Sequence, residues 1–154
     1  GIMGYRPIFL SQTSGTGIMS FASDGFGPRS GEQVGTRKNG VLISNAQGKA
    51  VGFALFNLQN RGRMMVRPND VIYEGMVVGI HTRGNDLTVN PMKEKKQTNV
   101  RASGTDENIV LTPALLFTLE QALEFIDDDE LVEVTPESIR VRKLLLKEHE
   151  RKRA

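Results

Sequence analysis

Between Arg83 and Arg101 the chain carries five cationic side chains, Arg83, Lys93, Lys95, Lys96 and Arg101, against two acidic ones, Asp86 and Glu94. Asn85, Asn90, Gln97, Thr98 and Asn99 are set among them. Cationic side chains neutralise phosphates, while amides and hydroxyls hydrogen-bond phosphate, sugar and base edges. The mixture suits recognition of a nucleic acid. It is also the composition of an ordinary solvated surface loop, and composition alone does not separate the two. Arg37 and Lys38, ahead of one apolar run, and Arg140, Arg142 and Lys143, on or beside another, are further candidates for phosphate contact.

Chemistry of other kinds has little to stand on. His81 and His149 are far apart in sequence, and neither belongs to a metal-ligand spacing such as His-Glu-x-x-His. There is no cysteine nucleophile and no Gly-x-Ser-x-Gly elbow. His81, next to the apolar run Met76–Ile80, reads as a structural histidine. Asp127-Asp-Asp-Glu130 lacks the alternating ligands and the glycine of a calcium loop, so a solvated acidic connection is expected there. Ser14-Gly-Thr-Gly17 lacks the lysine and spacing of a phosphate cradle and reads as a turn. Met64 and Met65 are expected in the core. No enzyme is expected within this chain, nor a metal, cofactor or small-molecule substrate.

The elements that must carry these residues follow from periodicity. At 154 residues with 38% hydrophobic and 25% charged, the chain is long enough for a real core and ordinary for a folded protein. The net charge of +2 is uninformative, but its distribution is not. Residues 118–137 hold eight carboxylates and no cation, whereas residues 138–154 hold seven cations and two carboxylates, a segregation that suits a polyanion on one side. The absence of cysteine fits a reducing cytoplasm, no apolar run approaches a membrane span, and no signal peptide is visible. The opening Gly1-Ile-Met-Gly-Tyr5 reads as the start of a piece of a longer protein.

Residues 1–27 are expected to form a short helix carrying Tyr5 and Phe9, ended at Gly15, and then a strand over Ile18–Ala22. A glycine- and proline-rich joint, Gly25–Gly31, places a domain boundary near residue 28. Gly40–Ser44 and Lys49–Phe53 read as strands of a hairpin, followed by a helical turn from Ala54 to Gln59. Arg63–Val66, Val71–Tyr73 and Met76–Ile80 are strand-like. From Arg83 to Gly104 apolar residues are too sparse for a core-facing helix or strand, which predicts a loop of functional length. Glu107–Leu111 reads as a strand. Thr118-Leu-Glu-Gln121 has the form of a capping box opening a helix over about 118–126. Alternating strands Leu131–Val134 and Ser138–Arg142 flank Thr135-Pro-Glu137, and a basic tail closes the chain. The fold expected is α+β: a β-rich domain with short strands and one clear helix.

Several stretches together resemble a known family: Arg37-Lys-Asn-Gly-Val-Leu-Ile43, Tyr73-Glu-Gly-Met-Val-Val-Gly79, Asn85-Asp-Leu-Thr-Val-Asn90, Lys95-Lys-Gln-Thr-Asn-Val-Arg-Ala-Ser103 and the segment Leu119–Pro136. The set resembles the C-terminal region of the bacterial translational GTPases BipA/TypA. The resemblance divides the chain into residues 1–27, similar to the end of a ferredoxin-like domain shared with elongation factor G (its domain V), and residues 28–154, the family's ribosome-binding domain. It implies a GTPase, with GTP and magnesium held in an N-terminal part outside this sequence, used in the cytoplasm under stress or cold and in large-subunit assembly. It implies RNA contacts for the basic loop, to large-subunit rRNA and the acceptor arm of A-site tRNA, with Arg83, Asn85, Asn90, Lys93, Lys95, Lys96, Asn99 and Arg101 the expected residues. Pro91 and Met92 depart from the family's pattern, whereas Lys95, Lys96 and Arg101 match it. The alternative is a protein–protein module that docks through the acidic segment 127–133.

Overall fold

The computed structural model describes residues 5–28, 37–93 and 110–153. They fall into two compact units, Gly1–Arg37 and Lys38–Ala154. In the first, α1 runs Tyr5–Gln12 and stacks Tyr5 on Phe9 one turn later, with ring centroids 6.3 Å apart. Ser14 and Gly15 then turn left-handed, at φ 51° and 80°, and the Gly15 N–H reaches back to the Leu10 carbonyl at 2.7 Å. A left-handed residue with this back-bond ends a helix, as the glycine suggested. The strand expected at Ile18–Ala22 does not form. Ile18, Phe21 and Phe26 stand exposed, and no strand among the described residues of this unit is there to pair with. A strand needs a ladder, and propensity cannot replace it.

The second unit is built on a four-stranded sheet in the order β3-β5-β1-β6. Its centre is β1 (Val41–Ser44), every residue of which is buried. Such a strand is covered on both faces and therefore reads as an unbroken apolar run. It pairs antiparallel with β5 (Val77–His81), Val41 opposite Ile80, and parallel with β6 (Leu87–Val89), Leu42 opposite Leu87. On the far edge β3 (Gly62–Met64) pairs with β5. The hairpin expected between 40–44 and 49–53 is overturned. β2 is only Gly48–Lys49 and pairs with β4 (Val71–Ile72), and the backbone turns at Gly52 into α2 (Gly52–Leu58). Helical spacing is what lets Ala54, Leu55 and Leu58 meet the core together.

A second correction concerns the basic loop. Its first part contains β6, a strand that sequence sparsity had argued against. Leu87 and Val89 need only three residues to place one face on the core, because β1 supplies the ladder. Of the strand expected at Glu107–Leu111, residues 107–109 lie outside the described residues, and Val110–Leu111 are not a strand. The Gln59 amide holds this stretch instead, donating to the Val110 carbonyl at 3.2 Å and accepting from the Thr112 N–H at 3.1 Å.

The sheet has one core on each face. Leu42, Leu55, Met64, Ile72 and Val78 form the core under α2; Val41, Ile43, Val77, Ala122 and Val141 form the other. The latter is covered by α3 (Leu119–Phe125) and by the hairpin of β7 (Glu130–Val134) and β8 (Ile139–Lys143). The capping box forms as expected, with the Thr118 hydroxyl accepting from the Gln121 N–H and the Gln121 side-chain Oε1 accepting from the Thr118 N–H. A short α4 (Glu148–Arg151) follows. The architecture is mixed α+β and rich in short strands, as expected, with four helices among the described residues.

Candidate nucleic-acid interface

Residues 83–93 are pinned along their backbone while several polar side chains face water. The Arg83 carbonyl accepts from the Gly40 N–H at 2.8 Å, and the Asn85 carbonyl lies 2.6 Å from Nδ1 of the buried His81. One Asp86 oxygen accepts from the Val41 N–H at 2.8 Å. Further on, the Val89 carbonyl accepts from Asn45 and the Pro91 carbonyl from Val51, and the Pro91 ring is fully buried. Asn90 turns its own side chain back onto the Met92 N–H at 2.9 Å. Arg83, Asn85, Asn90 and Lys93 are exposed. An anchored backbone holds such side chains at lower entropic cost than a floppy chain would. His81 is structural, as its sequence setting suggested.

Lys38 joins this group. It is exposed, and its carbonyl lies over the backbone of Gly84, whose added Cβ would come within 3.1 Å. Arg37 is half-buried at the end of the first unit. Lys95, Lys96, Asn99 and Arg101 lie outside the described residues. Arg140 and Arg142 sit on β8, half-buried; Arg140 donates through Nε to the Ser138 hydroxyl at 3.0 Å, and Arg142 donates to the Lys143 carbonyl at 3.2 Å. These two arginines belong to the β7–β8 hairpin, separate in sequence from the loop, and Arg140 lies opposite Glu133 across it.

Lys143 belongs to neither group. Its side chain is 2% exposed, and its ammonium touches Asp86 at 2.6 Å, Asp129 at 2.8 Å and Glu130 at 2.9 Å. The three N–H donors are thereby engaged by carboxylates, so the phosphate contact expected of Lys143 is corrected to a structural role. The same knot corrects the reading of the acidic connection. Glu130 is buried as the first residue of β7, Asp129 faces Lys143, and Glu130 also accepts from the Asp127 N–H at 3.1 Å. Asp127 and Asp128 remain exposed. Glu133 is occupied too, accepting from the Tyr73 hydroxyl at 2.7 Å. Burial, and then this hydrogen bond, pushes the Tyr73 phenol well above the ordinary tyrosine range.

Sequence reasoning overlooked this knot because a buried lysine is invisible without its partners. It also passed over Arg61 and Arg63, which looked like parts of a turn and a strand. In the structure Arg61 sits beside Thr82, whose N–H and hydroxyl both donate to the Arg61 carbonyl, at 3.0 and 3.1 Å. Among the described residues no group of three or more His, Asp or Glu side chains is arranged for a metal ion, and no helix is long and apolar enough to cross a membrane.

Comparison with known proteins sets this geometry in context. Residues 39–148 match the TypA/BipA C-terminal domain. Over all of its 154 residues the chain is 59% identical to the large ribosomal subunit assembly factor BipA of Haemophilus influenzae, and 57% identical to the protein of that name from Escherichia coli K12. It is 58% identical over 153 residues to that of Buchnera aphidicola. The chain spans 25% of the length of each of these relatives.

Proposed function

The chain belongs to the TypA/BipA C-terminal domain family, and from that premise we propose that it is a non-catalytic RNA-binding module of a ribosome-associated GTPase. The observation that carries the reading is the pinned limb 83–93. It presents Arg83, Asn85, Asn90 and Lys93 to solvent on a backbone held at both ends, beside Lys38. Lys95, Lys96, Asn99 and Arg101 continue the same chemistry in sequence. In this reading the loop contacts large-subunit rRNA and the acceptor arm of A-site tRNA. Arg37, Arg140 and Arg142 add contacts to the RNA backbone.

The relatives' shared name, large ribosomal subunit assembly factor, supports the ribosome as partner and large-subunit assembly as the task. The whole protein would hydrolyse GTP with magnesium in the cytoplasm and serve under stress or cold. Those steps need residues outside this chain. The Ser14-Gly-Thr-Gly17 turn does not fit a nucleotide phosphate: the hydroxyls of Thr13 and Thr16 are turned onto carbonyls of the preceding backbone, and no lysine accompanies them. Residues 1–27 would be the tail of a ferredoxin-like domain, and residues 28–154 the ribosome-binding domain.

Co-sedimentation with large ribosomal subunits across a salt series tests the reading. The double substitution Lys95→Ala and Lys96→Ala should weaken binding and flatten the log–log salt slope, by about one unit per lost phosphate contact. Unchanged affinity and slope would remove the loop from the interface. For the docking alternative, Asp127 and Asp128 are the carboxylates of the segment 127–133 that neither Lys143 nor Tyr73 engages. Reversing those two charges should leave ribosome binding intact if RNA is the partner.

A further inference from the structure

The cations of the larger unit divide by their partners. Lys143, Lys147 and Lys152 each lie within 2.9 Å of a carboxylate. Lys38, Arg61, Arg63 and Arg83 are exposed, and among the described residues none of the four has a carboxylate in ion-pair reach. The sheet gathers these four at one end. Gly62 lies opposite His81 and Arg63 opposite Ile80, and the two Thr82 bonds continue the ladder to Arg61. Arg83 is the next residue along and is tied to Gly40, while Lys38 lies over Gly84.

Arg63 stands exposed between the buried Gly62 and Met64 of β3, and Arg61 leads into the strand from the turn before it, with the small Gly62 between the two arginines. β3 is an outer strand of its sheet. Cations held together without counter-charges repel one another, and a polyanion laid along the edge relieves that repulsion.

We propose that this β3 edge is a second RNA contact, in which Arg61 and Arg63 bind the phosphodiester backbone of an RNA strand that continues past Lys38 and Arg83 to the basic loop. The inference rests on the RNA-binding reading above and extends it to residues outside the loop. Contacts from guanidinium groups to phosphate are sequence-independent and strongly salt-dependent.

The test is binding of the 154-residue chain to purified large ribosomal subunits across a salt series. Arg61→Gln with Arg63→Gln should weaken binding and lower the log–log salt slope by roughly 1.4–1.8, the value for two phosphate contacts. Lys152→Gln with Arg153→Gln, which removes the same charge near α4, should leave the slope in place. Arg61→Lys with Arg63→Lys should restore most of it. Because the side chains are exposed, the melting midpoint of each variant should match the parent. Salt-dependent binding that Arg61→Gln with Arg63→Gln leaves untouched, or that the α4 pair lowers equally, overturns this inference alone. No salt-dependent binding by the unsubstituted chain overturns the RNA-binding reading and this inference together.

Discussion

Lys143 Nζ lies 2.6 Å from Asp86 Oδ2, so a lysine at the end of the last strand holds the root of the basic loop. The other oxygen of the same carboxylate takes the Val41 N–H. One aspartate thus joins β8 to β1 and to the entry of β6. Burial works against the Lys143 charge, but hydrogen bonds to Asp129, Asp86 and Glu130 outweigh it and raise its pKa above the ordinary lysine value. A pKa raised by folding contributes stability that is fully present below the unfolded value and is lost as pH climbs through the folded one. On the lysine's side the knot therefore holds at neutral pH and loosens in strong alkali.

Lys143→Met should destabilise the larger unit by about 3–5 kcal/mol, because it leaves the buried Glu130 carboxylate without its counter-charge. Asp86→Asn should cost less, since Asp86 is partly exposed and two carboxylates still face the lysine. Urea unfolding of the two variants checks the order. Parental stability in Lys143→Met would show that the knot does not hold the fold.

Tyr73 offers an optical reading of the link between β4 and the β7–β8 hairpin. In a Tyr5→Phe background it is the sole tyrosine, and its phenolate absorbance near 295 nm should appear only well above the ordinary tyrosine range. Burial, the hydrogen bond to Glu133 and the Glu133 charge all favour the neutral phenol. The stability carried by this group is present below the unfolded tyrosine value and lost as pH rises through the folded one. Glu133→Gln should bring the titration down toward normal. An ordinary titration in the parent would mean that Tyr73 and Glu133 do not meet in solution.

Two glycines should respond in opposite ways to alanine. A Cβ on Gly62 would run into the Ile80 carbonyl oxygen across the β3–β5 ladder, so Gly62→Ala should part the strands or prevent folding. A Cβ on Gly52 would meet only the Pro68 ring at 3.9 Å, an ordinary contact at the start of α2. Gly52→Ala should be neutral or stabilise by up to about 1 kcal/mol, through the lower entropy of the unfolded chain. Melting midpoints of the two variants check the contrast.

The legible parts of the fold were those whose signal is local. β1 and β5 appear as apolar runs because both their faces are covered. The Thr118–Gln121 capping box closes within one turn, and the alternation of β7 and β8 spans a hairpin of adjacent segments. Strand partners were not legible. Val41–Ser44 looked ready for a neighbour eight residues on, but its ladders are with residues near 77–80 and 87–89. β6 is too short for alternation to show, and it becomes a strand only because β1 lies beside it.

The same division runs through the candidate site. Residue types alone marked 83–101 as cationic and rich in amides, and the family motifs identified the chain, because charge and motif are properties of the sequence itself. Which cations stand free was decided by the tertiary structure. Arg140, Arg142 and Lys143 are near neighbours in sequence, yet Lys143 is enclosed by Asp86, Asp129 and Glu130, while Arg61, beside Thr82, and Arg63, opposite Ile80, have no carboxylate in ion-pair reach among the described residues. Charge pairing acts over a few ångströms of space, and segments as distant in the chain as Asp86 and Lys143 come that close only when the sheet has formed.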